Sequence, residues 1–558
     1  MEKFERWQKN TADLYKRGNY SNQHGFLDDL NPSVLGWRGA RDKELALMPH
    51  NETSFYNIAE FKPKLFDIDF LQESGCGVYL KNDWPEQLDG TQLFVYLAPS
   101  PNLTTFKKAL ISDRKFKSID LGVDPYGLGL WKSTLFKSRV DKVALLNCVE
   151  NGDHFFRISS QPYSMAGASD VQQLAILISS IIQVINNCEG LLSPIEVLKS
   201  ISFEVTLKPN LFLSIAKIQT LRILIQRVLE IYEITEDIQT PIYTAPAVRY
   251  LSSREPWNNI LRLTAINGAS FMGGAQGIVS LAFDFLSKGS GSRVSRNINQ
   301  VLGKESHLGK VNDPSRGSYT SDNLVGEMCS QSWQLINEIA KKEGMSSSLR
   351  SGWIHDQIKR VDSHQQELFL NRKLKITGVN DFVLGESLSE ENPVSKESEI
   401  IDIETWWTHF IFDEEAERLC DVERLVPASL STLLERWQYK TDQLRERDTN
   451  SSEIALVIEA GMESSSKAKK VKEVLGLAGL GVRIVSIEEI KNEKIYAVIA
   501  ADPDGEFSKN ILKERNEVFT QTVLWVGDKK MLGFDGTVGD KSHLVDLFSQ
   551  IFNALGVQ

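Results

Sequence analysis

Residues 201–233 read ISFEVTLKPNLFLSIAKIQTLRILIQRVLEIYE. From Ile201 to Leu207 apolar and polar positions alternate among β-formers, which predicts a strand. From Leu211 to Glu233 the apolar residues return at helical spacing, at Ile215, Ile218, Leu221, Leu224, Ile225 and Val228. A period-two run followed at once by a 3.6-period run predicts a strand feeding a helix, the unit from which parallel sheets are built.

The same switch recurs outward from this stretch. Ile242 to Tyr250 reads as a strand, Trp257 to Phe271 as a helix, and Gly277 to Phe283 as a strand. Upstream, Leu174 to Ile185 is the most apolar run. It is twelve residues long and interrupted by Ser179 and Ser180. That is too short to span a bilayer, and a buried helix is expected. Strand–helix alternation from about 50 to 345 predicts a parallel sheet, closed as a barrel or open and doubly wound; the pattern does not choose.

The texture changes after 450. Ile454–Ile458 is a continuous apolar run, as in a strand buried on both faces. A helix from Ser464 to Leu477 follows, then strands at Gly481–Ile487, Ile495–Ala500 and Thr522–Val526, and a closing helix from Ser542 to Leu555. This predicts a small doubly wound domain over 451–558. Between the two regions, residues 385–400 are acidic, Ser-rich and Pro-containing, and read as a linker. Thr405 to Arg445 reads as helical, and residues 445–452 form a second polar break, so 385–450 is taken as linker and helical segment. Residues 1–50 scatter Trp7, Tyr15, Tyr20, Phe26 and Trp37 among charges. They read as an arm that anchors on a partner, or as an ordinary N-terminal helix and loop on the chain's own core.

Bulk properties exclude several classes. With 558 residues, a net charge of −11 and no basic block, the chain does not present a nucleic-acid surface. The N-terminus lacks an apolar targeting core and carries Glu2, Glu5 and Asp13. Five dispersed cysteines (Cys76, Cys148, Cys188, Cys329 and Cys420) form no CxxC pair. They fit a cytoplasmic protein without a disulfide framework. No GxSxG, HExxH or GxxxxGK[ST] motif occurs, and the eight histidines are not spaced as ligands on one helix. Gly273-Gly274 reads as a helix cap or a close backbone approach. Asp313-Pro-Ser-Arg-Gly-Ser-Tyr319 reads as a turn in which glycine supplies any positive φ.

Taken together, these segments resemble a family. Ala166–Ala175 (AGASDVQQLA), Phe212–Arg222 (FLSIAKIQTLR), Pro256–Thr264 (PWNNILRLT), Phe271–Gln276 (FMGGAQ), Arg296-Asn297, Glu305–Val311 (ESHLGKV) and Asp313–Tyr319 (DPSRGSY) are similar, in order, to segments of methylmalonyl-CoA mutases. The likeness is good over about 150 to 345, loose over 1–150, and architectural at the C-terminus. It implies an α/β chain: an N-terminal (β/α)8 TIM-type barrel over 51–384, then a doubly wound, flavodoxin-like cobalamin-binding domain over 451–558. It also implies radical interconversion of (R)-methylmalonyl-CoA and succinyl-CoA with adenosylcobalamin.

The departures from that pattern matter most. Where catalytic members carry a DxHxxG loop whose histidine coordinates cobalt, this chain has Ile458-Glu-Ala-Gly-Met-Glu-Ser-Ser-Ser-Lys467. It offers Met462 but no imidazole. The only histidine after 409 is His543, expected in the last helix. Val140 to Ile158, where early barrel strands are expected, lacks the family's aromatic loop over CoA. The chain therefore resembles the small, non-catalytic subunit of a heterodimeric mutase. The resemblance assigns it no catalytic, cofactor-binding or metal residues of its own. It places adenosylcobalamin and the acyl-CoA on a large catalytic partner subunit, with no nucleic acid and no membrane involved. Two alternatives stay open: an active barrel using cobalamin without a histidine or from another chain, and a CoA-ester-binding regulatory protein.

Overall fold

The computed structural model describes residues 56–60, 76–80, 94–97, 118–127, 150–236, 238, 240–285, 291–310, 313–315, 317–383, 425, 429–447, 452–461, 466–489, 493, 495–500, 505–517, 522–527, 534–538 and 543–556. The arm at 1–50, the linker at 385–400, residues 401–424 of the following segment and Met462 lie outside them; the end of the stretch read as helical from Thr405 lies inside them.

Eight parallel strands close into a barrel, each paired with the next and the last with the first. They are β1 (Tyr56–Glu60), β2 (Cys76–Leu80), β3 (Phe94–Leu97), β4 (Ser118–Val123), β5 (His154–Ser159), β6 (Ile201–Leu207), β7 (Ile242–Pro246) and β8 (Gly277–Val279). The architecture is α/β and consistent with a TIM-type barrel. Among the described residues four strands precede residue 124, and the end of Val140–Ile158 falls in the fifth strand rather than in an early one.

The helices around the barrel follow from local signals. Helix α1 (Asp170–Asn187) starts at a reciprocal capping box between Ser169 and Gln172. It contains the apolar run Leu174–Ile185, which is almost entirely buried. Helix α2 (Leu211–Ile231) starts where the Asn210 side chain accepts from Leu213 N. Helix α3 (Pro256–Gly273) opens on proline, which has no N–H to leave unpaired. Helices α4 (Gly291–Gln300), α5 (Tyr319–Lys341) and α6 (Trp353–Leu370) follow β8, and α5 packs against α1 and α2. The core between strands and helices comes from outward strand residues such as Val95, Leu97, Leu121, Phe203 and Val205, with Leu174, Ile178, Ile215 and Leu221 from α1 and α2.

Three predicted strands are shorter than their sequence pattern; one of them, expected over Gly481–Ile487, ends at Ile484. The run from Ile242 leaves the sheet at Pro246, which has no N–H for the ladder, and turns into a 3-10 helix at Val248–Tyr250. The run from Gly277 stops at Val279. Beyond it, Asn259 Nδ2 takes Phe283 O at 2.9 Å and Asn299 Nδ2 takes Ser280 Oγ at 2.8 Å, so side chains replace the ladder.

Cα packing divides the chain into two compact units. Among the described residues, one holds those from 56 to 251, 259–363, 425 and 429; the other holds 252–258, 364–383 and those from 430 to 556. In the second unit, α7 (Thr432–Arg447) precedes β9 (Glu453–Ile458), α8 (Ser466–Gly476), β10 (Gly481–Ile484), β11 (Ile495–Ile499), α9 (Glu506–Glu517), β12 (Thr522–Val526), β13 (Gly536–Val538) and α10 (Leu544–Leu555). Its five strands are parallel, in the order β10-β9-β11-β12-β13. One sheet face buries Val457, Val498, Val523 and Trp525 against Ile511 and Phe534. Helix α9 and strand β13 were not legible in sequence, the first being strongly polar and the second three residues long.

Candidate functional site

In a parallel barrel alternate strand positions point to the axis. Here those positions carry Tyr79 on β2, Phe94 and Tyr96 on β3, Asp120 on β4, Arg157 and Ser159 on β5, Ser202 and Glu204 on β6, and Tyr243 on β7. Tyr79, Tyr96 and Asp120 lie side by side in register, as do Glu204 and Tyr243. Barrel interiors are commonly filled with branched aliphatic side chains. This one is filled with aromatic and charged groups, each 4% exposed or less.

The aromatic part is a cluster of Tyr79, Phe94, Tyr96 and Tyr243. The Phe94 and Tyr243 rings stack at 5.3 Å, and Tyr96 meets Tyr243 edge-on at the same centroid distance. The polar part centres on Arg157. Its Nη2 lies 2.6 Å from Asp120 Oδ1, its Nη1 donates to Leu97 O at 2.7 Å, and its guanidinium carbon sits 3.3 Å from the Tyr96 ring centroid. Ser202 Oγ donates to Asp120 Oδ2 at 2.5 Å. Tyr96 OH and Ser159 Oγ donate to the two oxygens of Glu204, at 2.5 and 2.9 Å. Burial holds the Tyr96 phenol well above its usual range, with Glu204 and Asp120 adding and Arg157 opposing. Burial alone would lower Arg157, but Asp120, Tyr96 and Glu204 together raise it. Ion, phenol and hydroxyl groups are bonded to one another, an arrangement that rigidifies a core.

At the carboxyl end of β4, Asp124 accepts from Tyr126 N at 3.1 Å, Gly127 N at 2.8 Å and Ser159 N at 3.2 Å. Burial pushes its carboxyl up to about 7, against the lowering effect of those three amides. Ser159 thus bonds Asp124 through its backbone and Glu204 through its hydroxyl.

The sequence segments singled out above meet around α2. Lys217, 1% exposed, donates to Asp170 Oδ1 at 2.8 Å, Gln173 Oε1 at 2.6 Å and Thr206 O at 2.7 Å. Gln219 Nε2 reaches Asp313 Oδ1 and Ser315 Oγ, each at 2.7 Å. Arg222 Nη2 reaches Gly274 O at 2.7 Å and Gln276 Oε1 at 2.9 Å. Three side chains within two turns of one helix thereby tie together the segments at 166–175, 313–319 and 271–276. A Cβ at Gly273 would come within 2.6 Å of Ile218 Cδ1, and Gly274 has φ +78°. The two glycines serve a close approach and a left-handed turn respectively.

Comparison with known proteins agrees with this layout. The methylmalonyl-CoA mutase family model matches residues 148–405. Over that stretch, a little under half of the chain, the sequence is similar to this family. It is 28% identical over 284 residues to the methylmalonyl-CoA mutase small subunit of Streptomyces virginiae, covering 50% of this chain and 46% of that one. The small subunit of Propionibacterium freudenreichii subsp. shermanii is 28% identical over 298 residues, with 50% and 46% covered. The methylmalonyl-CoA mutase of Escherichia coli K12 is 30% identical over 137 residues, 24% of this chain and 19% of that one. The match thus spans about half the length of the small-subunit relatives.

The motif residues build the scaffold around the barrel. Sequence reading missed the axial residues Tyr96, Asp120, Arg157 and Tyr243, because single polar positions in short strands carry no spacing signal. The polar positions of Ile201–Leu207 were the one available hint: Ser202 and Glu204 both face the axis. Among the described residues no group of three or more His, Cys, Asp or Glu could hold a metal ion, and no helix is long and apolar enough to cross a membrane.

At the carboxyl edge of the second unit's sheet, Lys467 at the start of α8 donates to Ala500 O at 3.0 Å and lies 5.4 Å from the Trp525 ring centroid. Glu459 N donates to Ile499 O at 2.8 Å just beyond β9. His543 is not inside the last helix as expected. It is the N-cap of α10, 3.3 Å from Asp546, and follows β13, from which β12 and β11 separate β9.

Proposed function

We propose that this chain is the small, non-catalytic subunit of a heterodimeric, cobalamin-dependent methylmalonyl-CoA mutase. It supports a large subunit that interconverts (R)-methylmalonyl-CoA and succinyl-CoA. The observation that carries this reading is the filled barrel axis. Tyr79, Phe94, Tyr96 and Tyr243 occupy the interior, and Arg157, Asp120 and Glu204 are bonded to one another and to their neighbours, leaving these groups committed to the fold.

The C-terminal sheet is read as a flavodoxin-like, degenerate cobalamin-binding domain. Its strand order, second-first-third-fourth-fifth, is the doubly wound order whose ligands sit at the carboxyl edge beside the first and third strands. The residues at that edge do not fit cobalt. The stretch from Ile458 to Lys467 contains no imidazole, and the Lys467 ammonium is engaged with Ala500 O beside a buried Trp525. No step runs through cobalamin on this chain, and adenosylcobalamin and the acyl-CoA are assigned to the partner. Residues 1–50, rich in aromatics, are assigned to partner binding in a cytoplasmic complex.

The test is expression with and without the large mutase subunit from the same source. A one-to-one complex carrying all the cobalamin and activity on the large subunit is expected. The isolated chain should give no base-off spectrum when titrated with adenosylcobalamin. Tight base-off binding, or turnover without the partner, would sink the proposal.

A further inference from the structure

Residues Ser252–Asn258 lie in sequence between the 3-10 helix at 248–250 and the body of α3, yet they pack as part of the second unit. One carboxylate gathers most of the hydrogen bonds that hold the start of the segment. Glu435, in the first turn of α7, accepts from Ser252 Oγ at 2.8 Å, Ser253 N at 2.9 Å, Ser253 Oγ at 2.5 Å and Arg254 N at 3.4 Å. Two turns further along α7 the grip is repeated, with Arg254 Nη1 at 2.6 Å from Asp442 Oδ2. On its other side the segment meets the turn at 376–381. Gly378, with φ +78°, leaves no room for a Cβ, which would fall 2.3 Å from Asn258 Nδ2 and 2.5 Å from Glu255 Oε2. Asn380 fixes that turn by donating to Phe369 O and Leu374 O and accepting from Ile376 N.

The segment is therefore clamped from two sides, and its donors are buried: Ser252 is 1% and Ser253 8% exposed. Its ends continue into elements held elsewhere. Arg249, one turn upstream, is bonded to Asp362, and Asn259, the next residue downstream, is bonded to Phe283 O. We propose that α7 acts through Glu435 as a conformational anchor for the chain between β7 and α3, so that loosening α7 loosens both. The inference concerns the free chain and stands apart from the proposed subunit role.

Hydrogen–deuterium exchange on the full chain tests it. Glu435→Ala removes the carboxylate that these buried donors share, and Glu435→Gln keeps one carbonyl. A lost buried acceptor of this kind corresponds to about tenfold faster opening. Exchange in peptides covering 248–251 and 259–263 should accelerate by about that factor in Glu435→Ala and less in Glu435→Gln, while β6 and β9 peptides stay unchanged. If Glu435→Ala fails to fold, Glu435→Gln combined with Ser252→Ala and Ser253→Ala decides. Under the proposal the combination is no faster at 248–251 and 259–263 than Glu435→Gln alone, since both act through one contact. Acceleration confined to 252–255, or fully additive effects, overturns it.

Discussion

The guanidinium carbon of Arg157 lies 3.3 Å from the centre of the Tyr96 ring, on the axis of the barrel. Arg157 is also the partner of Asp120, and Tyr96 of Glu204, so this one stacking contact joins the two buried carboxylates into one network.

Replacing Arg157 by Met leaves Asp120 without its counter-charge in a buried site. Such a loss costs about 3–5 kcal/mol. Tyr96→Phe keeps the ring under the guanidinium and removes only the donor to Glu204, a loss of about 1–3 kcal/mol. Urea denaturation should rank the variants in that order. Equal effects would mean that the stacking and the ion pair contribute little beyond volume.

Lys217→Met strips three buried acceptors at once: Asp170, Gln173 and the Thr206 carbonyl. Lys208 Nζ stays 3.1 Å from Asp170 Oδ2 and compensates in part. The expected loss is about 3 kcal/mol, at the lower end for a broken buried pair. Adding Lys208→Met should cost more than the sum of the single changes, because Asp170 is then left without either partner. Simple additivity in thermal or urea unfolding would refute the shared-partner geometry.

Gly273 and Gly274 should fail for different reasons. Gly274→Val forces a β-branched residue into φ +78° and should cost about 1–3 kcal/mol. Gly273→Val instead drives a side chain into Ile218, and the accompanying change Ile218→Ala should restore part of the loss. Rescue at 273 and none at 274 is the diagnostic result in a melting experiment.

Asp124 gives a pH dependence with a definite sign. Burial raises its carboxyl from an ordinary value of 3.8 to about 7 in the folded chain. Between those values the folded state holds a proton that the unfolded state releases, so stability falls as pH rises. About three units correspond to at most about 4 kcal/mol, lost between pH 4 and 7 and constant above. Unfolding free energies at pH 5, 6, 7 and 8 should show this decline in the native chain and a flatter profile in Asp124→Asn. A native stability that rises with pH over this window while the variant stays flat would reverse the assignment.

The sequence by itself determined the local elements from about 154 onward wherever the period was clean. Ile201–Leu207 and Thr522–Val526 are strands with the expected ends, and α1 and α2 lie where apolar spacing put them, because periodicity and caps act over a few residues. The ordered segments from 166 to 319 also pointed to the family whose model matches residues 148–405. Only the tertiary structure decided that the sheet closes, since closure rests on β1 pairing with β8 across more than two hundred residues. It alone brought Tyr96, Asp120, Arg157 and Glu204 to one axis, from four strands whose single polar positions look ordinary in isolation. It alone assigned Ser252–Asn258 to the second unit, through a carboxylate on Glu435 far along the chain. Those facts depend on which surfaces meet, and hydrophobic burial and hydrogen-bond satisfaction fix that only when the whole chain is assembled.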